Sequence, residues 1–133
     1  MNTIEKIEND FWGEAPENVS HLISTCYRLR QKELQDFSIE DYRLLINQNI
    51  SLPILIPNAV KILKENFFAE GDFYEGDLLK SVLCSEKVFW TNHPEIKAEM
   101  IEVLNSNIHK LPELNSTEEI KGSIQQAYED FLR

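Results

Sequence analysis

The sequence predicts an all-α protein, a single compact domain (residues 1–133) of roughly seven to nine helices. Apolar residues recur at the three- and four-residue spacing of a helix face, while alternating apolar/polar stretches are scarce. Glycine occurs only four times in 133 residues, so the chain has few places to turn tightly or break a helix. Several segments also open with residues that cap helices. Hydrophobic residues make up 42% of the chain, enough to fill one core without disulfides or a metal.

The first expected helix covers Glu17 to Arg30, with Val19, Leu22, Ile23, Cys26 and Leu29 on one broad stripe. Pro16 suits its first turn, and Arg28 and Arg30 suit the negative end of its dipole. The next start is Ser38-Ile39-Glu40-Asp41, where Ser38 can cap and Asp41 stands where a capping-box acid belongs. That helix should reach about Asn47 and bury Tyr42, Leu45 and Ile46. Leu52, Leu55, Ile56, Ala59, Val60 and Leu63 again follow helical spacing. Pro57 has no N–H and clashes with the preceding turn. The helix within 52–66 is therefore either kinked there or begins with Pro57 in its first turn.

Glu70-Gly71-Asp72-Phe73-Tyr74-Glu75-Gly76-Asp77 reads as a loop, with two glycines and four acids in eight residues. Asp77 can cap a helix carrying Leu78, Leu79, Val82 and Leu83, and Phe73 and Tyr74 would pack beneath the loop. A short helical piece is expected around Ser85 to Trp90. Pro94 opens a helix with Ile96, Met100, Val103 and Leu104 inward. Asn115 to Glu119 starts a last helix that buries Ile120, Ile124, Ala127 and Phe131. The pattern FWxxxPE occurs twice, at Phe11-Trp12 and at Phe89-Trp90. Trp12 and Trp90 are either interface anchors or, beside Phe11 and Phe89, residues that pin a helix end to the core ahead of a helix-starting proline, and the second is the expectation.

The composition excludes several function classes. The formal net charge is −10, which repels nucleic-acid phosphates and anionic lipid and attracts cationic partners. No apolar run approaches the roughly 20 residues of a membrane span. The stretch from Met1 to Glu8 is acidic and amphipathic, unlike a signal peptide, so a cytoplasmic location is expected. Cys26 and Cys84 lack metal-ligand spacing and read as buried thiols.

No phosphate-binding glycine loop, nucleophile elbow or H-E-x-x-H pattern is present. His21, His93 and His109 are far apart, and Cys26 lies five residues from His21, on a different helix face. A dyad of distant residues, such as Cys84 with His109, has no support in the sequence. Asp72, Glu75 and Asp77 are oxygen donors, but their spacing is not that of a calcium loop. The acidic segment is either a solvated turn built around the next helix start or an electronegative docking surface. In the second case Tyr74 would supply a rigid contact and the carboxylates would meet Lys or Arg. The reading is of a non-enzymatic protein, without cofactor or metal, that covers a partner.

Blocks of sequence in order carry a family resemblance. They are Phe11-Trp12-Gly13-Glu14-Ala15-Pro16, Asp41 to Gln48, Leu52 to Pro57, Glu70 to Leu79, and Phe89-Trp90. Over roughly residues 8 to 105 the chain resembles the helical immunity proteins of bacterial contact-dependent growth inhibition (CDI) systems. The resemblance implies a cytosolic protein that binds the C-terminal toxic domain of a delivered effector, commonly a nuclease, and blocks its active site. The implied complex is one-to-one, with no nucleic-acid or membrane partner. Glu70, Asp72, Tyr74, Glu75 and Asp77 are the candidate toxin-binding residues, from the local density of acids without an intervening base. An acidic helical interaction or regulatory module with an unrelated partner is the alternative. A small enzyme assembled from distant residues is the third reading.

Overall fold

Capping chemistry sets most of the helix ends. In a computed structural model, which describes residues 2–133, eight α-helices follow one another. They are α1 (Ile4–Glu8), α2 (His21–Arg30), α3 (Ile39–Asn47), α4 (Leu52–Glu65), α5 (Asp77–Leu83), α6 (Lys87–Asn92), α7 (Pro94–Asn107) and α8 (Glu118–Leu132). Tight 3-10 turns occupy Leu34–Asp36 and Ile108–Glu113. Thr3, Ser20, Ser38 and Thr117 each accept a hydrogen bond from a first-turn backbone N–H. At α3 the capping box is complete: Ser38 Oγ accepts from the Asp41 N–H at 3.1 Å, and Asp41 accepts from the Ser38 N–H at 3.0 Å. Among the described residues there is no sheet, only isolated bridges pairing Thr3 with Glu33 and Glu70 with Glu75. The all-α expectation holds.

One core runs through the helices. α5 is its hub, packed against α3 on one side and α8 on the other, while α4 lies against α7. Leu45 and Ile46 of α3, Leu55, Ile56 and Leu63 of α4, Leu78, Leu79 and Val82 of α5, and Met100 and Leu104 of α7 are fully buried. Helix α4 starts at Leu52 and runs unbroken across Pro57. An internal proline costs about 3 kcal/mol. Burying each Leu, Ile or Val contributes about 1.5–3 kcal/mol. The four such residues buried between Leu52 and Val60 outweigh the lost bond, so the helix persists. Trp90 crosses from α6 to α8: its ring meets Phe131 edge-on at 4.8 Å, and its Nε1–H donates to Ser85 Oγ at 2.9 Å. A buried indole with its N–H satisfied is a strong anchor.

The N-terminal quarter departs from the expectation. Helix α2 begins at His21, not Glu17, because Ser20 caps it and Asn18 adopts a left-handed φ of 64° that a continuing helix cannot include. Pro16 therefore lies in an irregular strap rather than in a first helical turn. Leu22 and Ile23 face solvent, and the buried side of α2 is Thr25, Cys26, Leu29 and Arg30. The two FWxxxPE copies separate in the same way. Phe89 and Trp90 are 4% and 3% exposed, whereas Phe11 and Trp12 are 55% and 40% exposed. Only the second pair pins a helix to the core. Cys26 is buried as expected, and burial pushes its thiol above the usual range. Cys84 is exposed, contrary to its reading as a buried thiol.

Candidate functional site

The acidic loop between α4 and α5 is built around one carboxylate. Asp77, 3% exposed, turns back into the loop rather than capping α5. Its Oδ1 accepts from the Gly71 N–H at 2.7 Å, and its Oδ2 accepts from the N–H groups of Phe73 and Tyr74 at 3.0 and 3.4 Å. The α5 cap is Gly76, whose φ of 94° is open to glycine and strained for other residues. A Cβ there would also stand 2.9 Å from the Ile124 methyl of α8, so the loop is held close against the core.

Helix α3 holds the loop from the other side. Glu40 Oε1 accepts from the Asp72 N–H at 2.9 Å and from Arg43 Nε at 2.6 Å, and Oε2 accepts from Arg43 Nη2 at 2.7 Å. This bidentate pair lowers the Glu40 carboxyl below its ordinary range, the Asp72 N–H adding to the effect, and raises the Arg43 guanidinium. The same guanidinium lies over the Phe73 ring at 4.4 Å from its centroid. Phe73 is 68% exposed, so it lies on the loop surface and not beneath it. Tyr74 is half-buried, and burial followed by the Asp77 charge raises its phenol.

The five candidate residues therefore do not form one patch. Asp72 opens, with Phe73, onto a groove of about 530 Å³ between the loop, α2 and α3, lined also by Leu22, Arg28 and Leu44. Glu75 opens onto a different groove, with His109 and Glu113 of the second 3-10 turn. Glu70 is exposed at the loop's base, bridged through its backbone to Glu75. Asp77 is interior, and its oxygens are occupied by amides.

Sequence reasoning missed a second surface, on the strap between α1 and α2. Arg30, 2% exposed, reaches out of α2 and gathers the strap around itself. Its Nη1 donates to Glu8 Oε1 at 2.6 Å and to Ser51 Oγ at 3.3 Å, and its Nη2 donates to the Asp10 carbonyl at 2.7 Å. Its guanidinium carbon lies 4.2 Å from the centroid of Trp12, and Trp12 meets Tyr27 edge-on at 5.0 Å. Arg30 is at the end of α2, as the dipole argument has it, but it also continues the apolar side of Cys26 and Leu29, and that was the signal.

Cys84 lies in a groove with Lys97 and Asp130, away from His109. Among the described residues no group of three or more His, Cys, Asp or Glu could hold a metal ion. Among them, too, no helix is long and apolar enough to cross a membrane. Searches of curated proteins and of solved structures find no match to the chain. A family described as CDI immunity proteins matches it over residues 6–100.

Proposed function

We propose, from the premise that this chain belongs to the family of CDI immunity proteins, that it neutralises the C-terminal toxin domain of a contact-delivered effector by binding it one-to-one in the cytoplasm. The observation that carries the reading is the family match over residues 6–100, a span containing the acidic loop, α2 and the strap. The toxin is a nuclease with a basic, phosphate-holding cleft, and the immunity protein blocks that active site. A net charge of −10 favours such an encounter by long-range attraction. Glu70, Asp72, Tyr74 and Glu75 meet the toxin, and Asp77 contributes by holding the loop that carries them.

This reading predicts a toxin gene beside the one for this chain; coexpression with its toxin domain should restore growth, and the purified proteins should form a 1:1 complex by sedimentation. Absence of binding between them would refute the reading. Glu70→Lys with Glu75→Lys reverses two exposed charges that have no ion pair among the described residues. Association should slow by about tenfold at low salt and lose part of its salt dependence, dissociation changing less. Unchanged kinetics would remove the loop acids from the interface.

A further inference from the structure

Resting on that reading, we infer that the solvent face of α2, between Trp12 and Phe73, is the apolar centre of the toxin interface. Its occupant is a toxin surface with an apolar projection ringed by Lys and Arg.

The distribution of exposed apolar side chains leads there. Of the eight large ones among the described residues, five lie between Ile7 and Ile23, and a sixth, Phe73, sits on the groove that Leu22 also lines. On α2, Ile23 precedes Tyr27 by one turn and shares its face, and Trp12 packs on Tyr27. Leu22 is next to Ile23 and opens onto the Phe73 groove. The helix thus joins the two aromatics in one ridge. Single exposed hydrophobics need no explanation, but a contiguous apolar strip with aromatic ends marks a contact surface.

Both end aromatics are also held in place by the same device. Trp12 lies against Arg30, which is locked by Glu8 at 2.6 Å, and Phe73 lies against Arg43, which is locked by Glu40 at 2.6 Å. Rings 40% and 68% exposed would otherwise sample several rotamers. Here the cost of ordering them is met by the fold, and preorganised aromatic anchors are what tight interfaces use.

The rim selects the occupant. Glu14 and Glu17 lie along the strap and Asp72 on the loop, all exposed and without an ion pair among the described residues. Arg28 is the exposed base on the groove. A second copy of this chain would bring acids against acids at a net charge of −10 per chain. A basic partner would be attracted at the rim and would bury the strip at its centre.

The test is surface plasmon resonance against the purified toxin domain that the proposed function predicts to be encoded by the neighbouring gene. Ile23→Ser with Phe73→Ser should raise the dissociation rate by about 30-fold or more, with only a small drop in thermal midpoint because neither side chain belongs to the buried core. Val88→Ser with Leu132→Ser, at exposed apolar positions elsewhere, should leave binding unchanged and controls for general loss of surface apolarity. Ile23→Lys offers an independent variant: it sets like charge against the toxin's Lys and Arg and should weaken binding further. Wild-type dissociation rates in the α2 variants overturn this inference and leave the family reading standing. Failure of the wild-type chain to bind overturns the proposed function itself. A wild-type dimer that Ile23→Ser renders monomeric would overturn this inference, by assigning the strip to a second copy.

Discussion

Asp77 and Glu40 do by side-chain contact what a longer loop would have to do by its own packing. Each carboxylate takes backbone N–H groups that the turn cannot pair internally, and unpaired amides in a half-buried loop are costly. Asp77→Asn keeps the shape but turns an NH2 group toward at least one N–H donor. It should lower the unfolding free energy by about 2–3 kcal/mol, read from urea midpoints at constant slope. Glu40 makes a pH-dependent contribution. Its carboxyl is lowered in the fold from an ordinary value of 4.5, so the contribution is complete above that pH and is lost as pH falls through the lower, folded value. The stability gap between wild type and Glu40→Gln should be constant from pH 7 to pH 5 and narrow at more acidic pH. A gap that widened on acidification would contradict this assignment.

At the scale of elements, the strap from Asn9 to Ser20 has little regular structure and depends on one buried side chain. Arg30 bonds it at Glu8 and at the Asp10 carbonyl and stacks on Trp12, while its Nε has no partner. A buried guanidinium is a weak net stabiliser, since desolvation offsets much of its pairing, but it specifies position. Arg30→Met should therefore change global stability modestly, by about 1–2 kcal/mol, and release the strap. Chymotryptic cleavage after Phe11 and Trp12 should accelerate well beyond any change in global unfolding. Equal acceleration at Phe89 and Trp90 would mean that the fold, not the strap, had loosened. Helix α4 shows the opposite balance, where core burial overrides a local rule and carries the helix through Pro57.

The molecule as a whole has an apolar helical core, a charge excess on its outside, and a strip of ordered aromatics across one helix. The charge governs approach and the strip governs residence, so salt should act on the association rate and apolar truncation on the dissociation rate. Most of the fold was legible beforehand. The burial of α3, α4, α7 and α8 follows apolar spacing, and the ends of α3 and α8 follow Ser38 and Thr117. The candidate site was legible only in part. The loop was found, but its acids diverge: Asp77 is interior, Asp72 and Glu75 open onto separate grooves, and the exposed aromatic is Phe73.

What the amino-acid sequence determined by itself is local. Helix periodicity, caps and turns arise among residues a few positions apart, whose interactions exist wherever the segment sits. Exposure is not local. The same FWxxxPE pattern is interior at Trp90 because α8 brings Phe131 to it, and outward at Trp12, which meets Tyr27 and Arg30 of α2 on one side and is left 40% exposed. Only the tertiary structure decided which aromatic pair would hold the core and which would face a partner, since burial depends on what another element brings to that place.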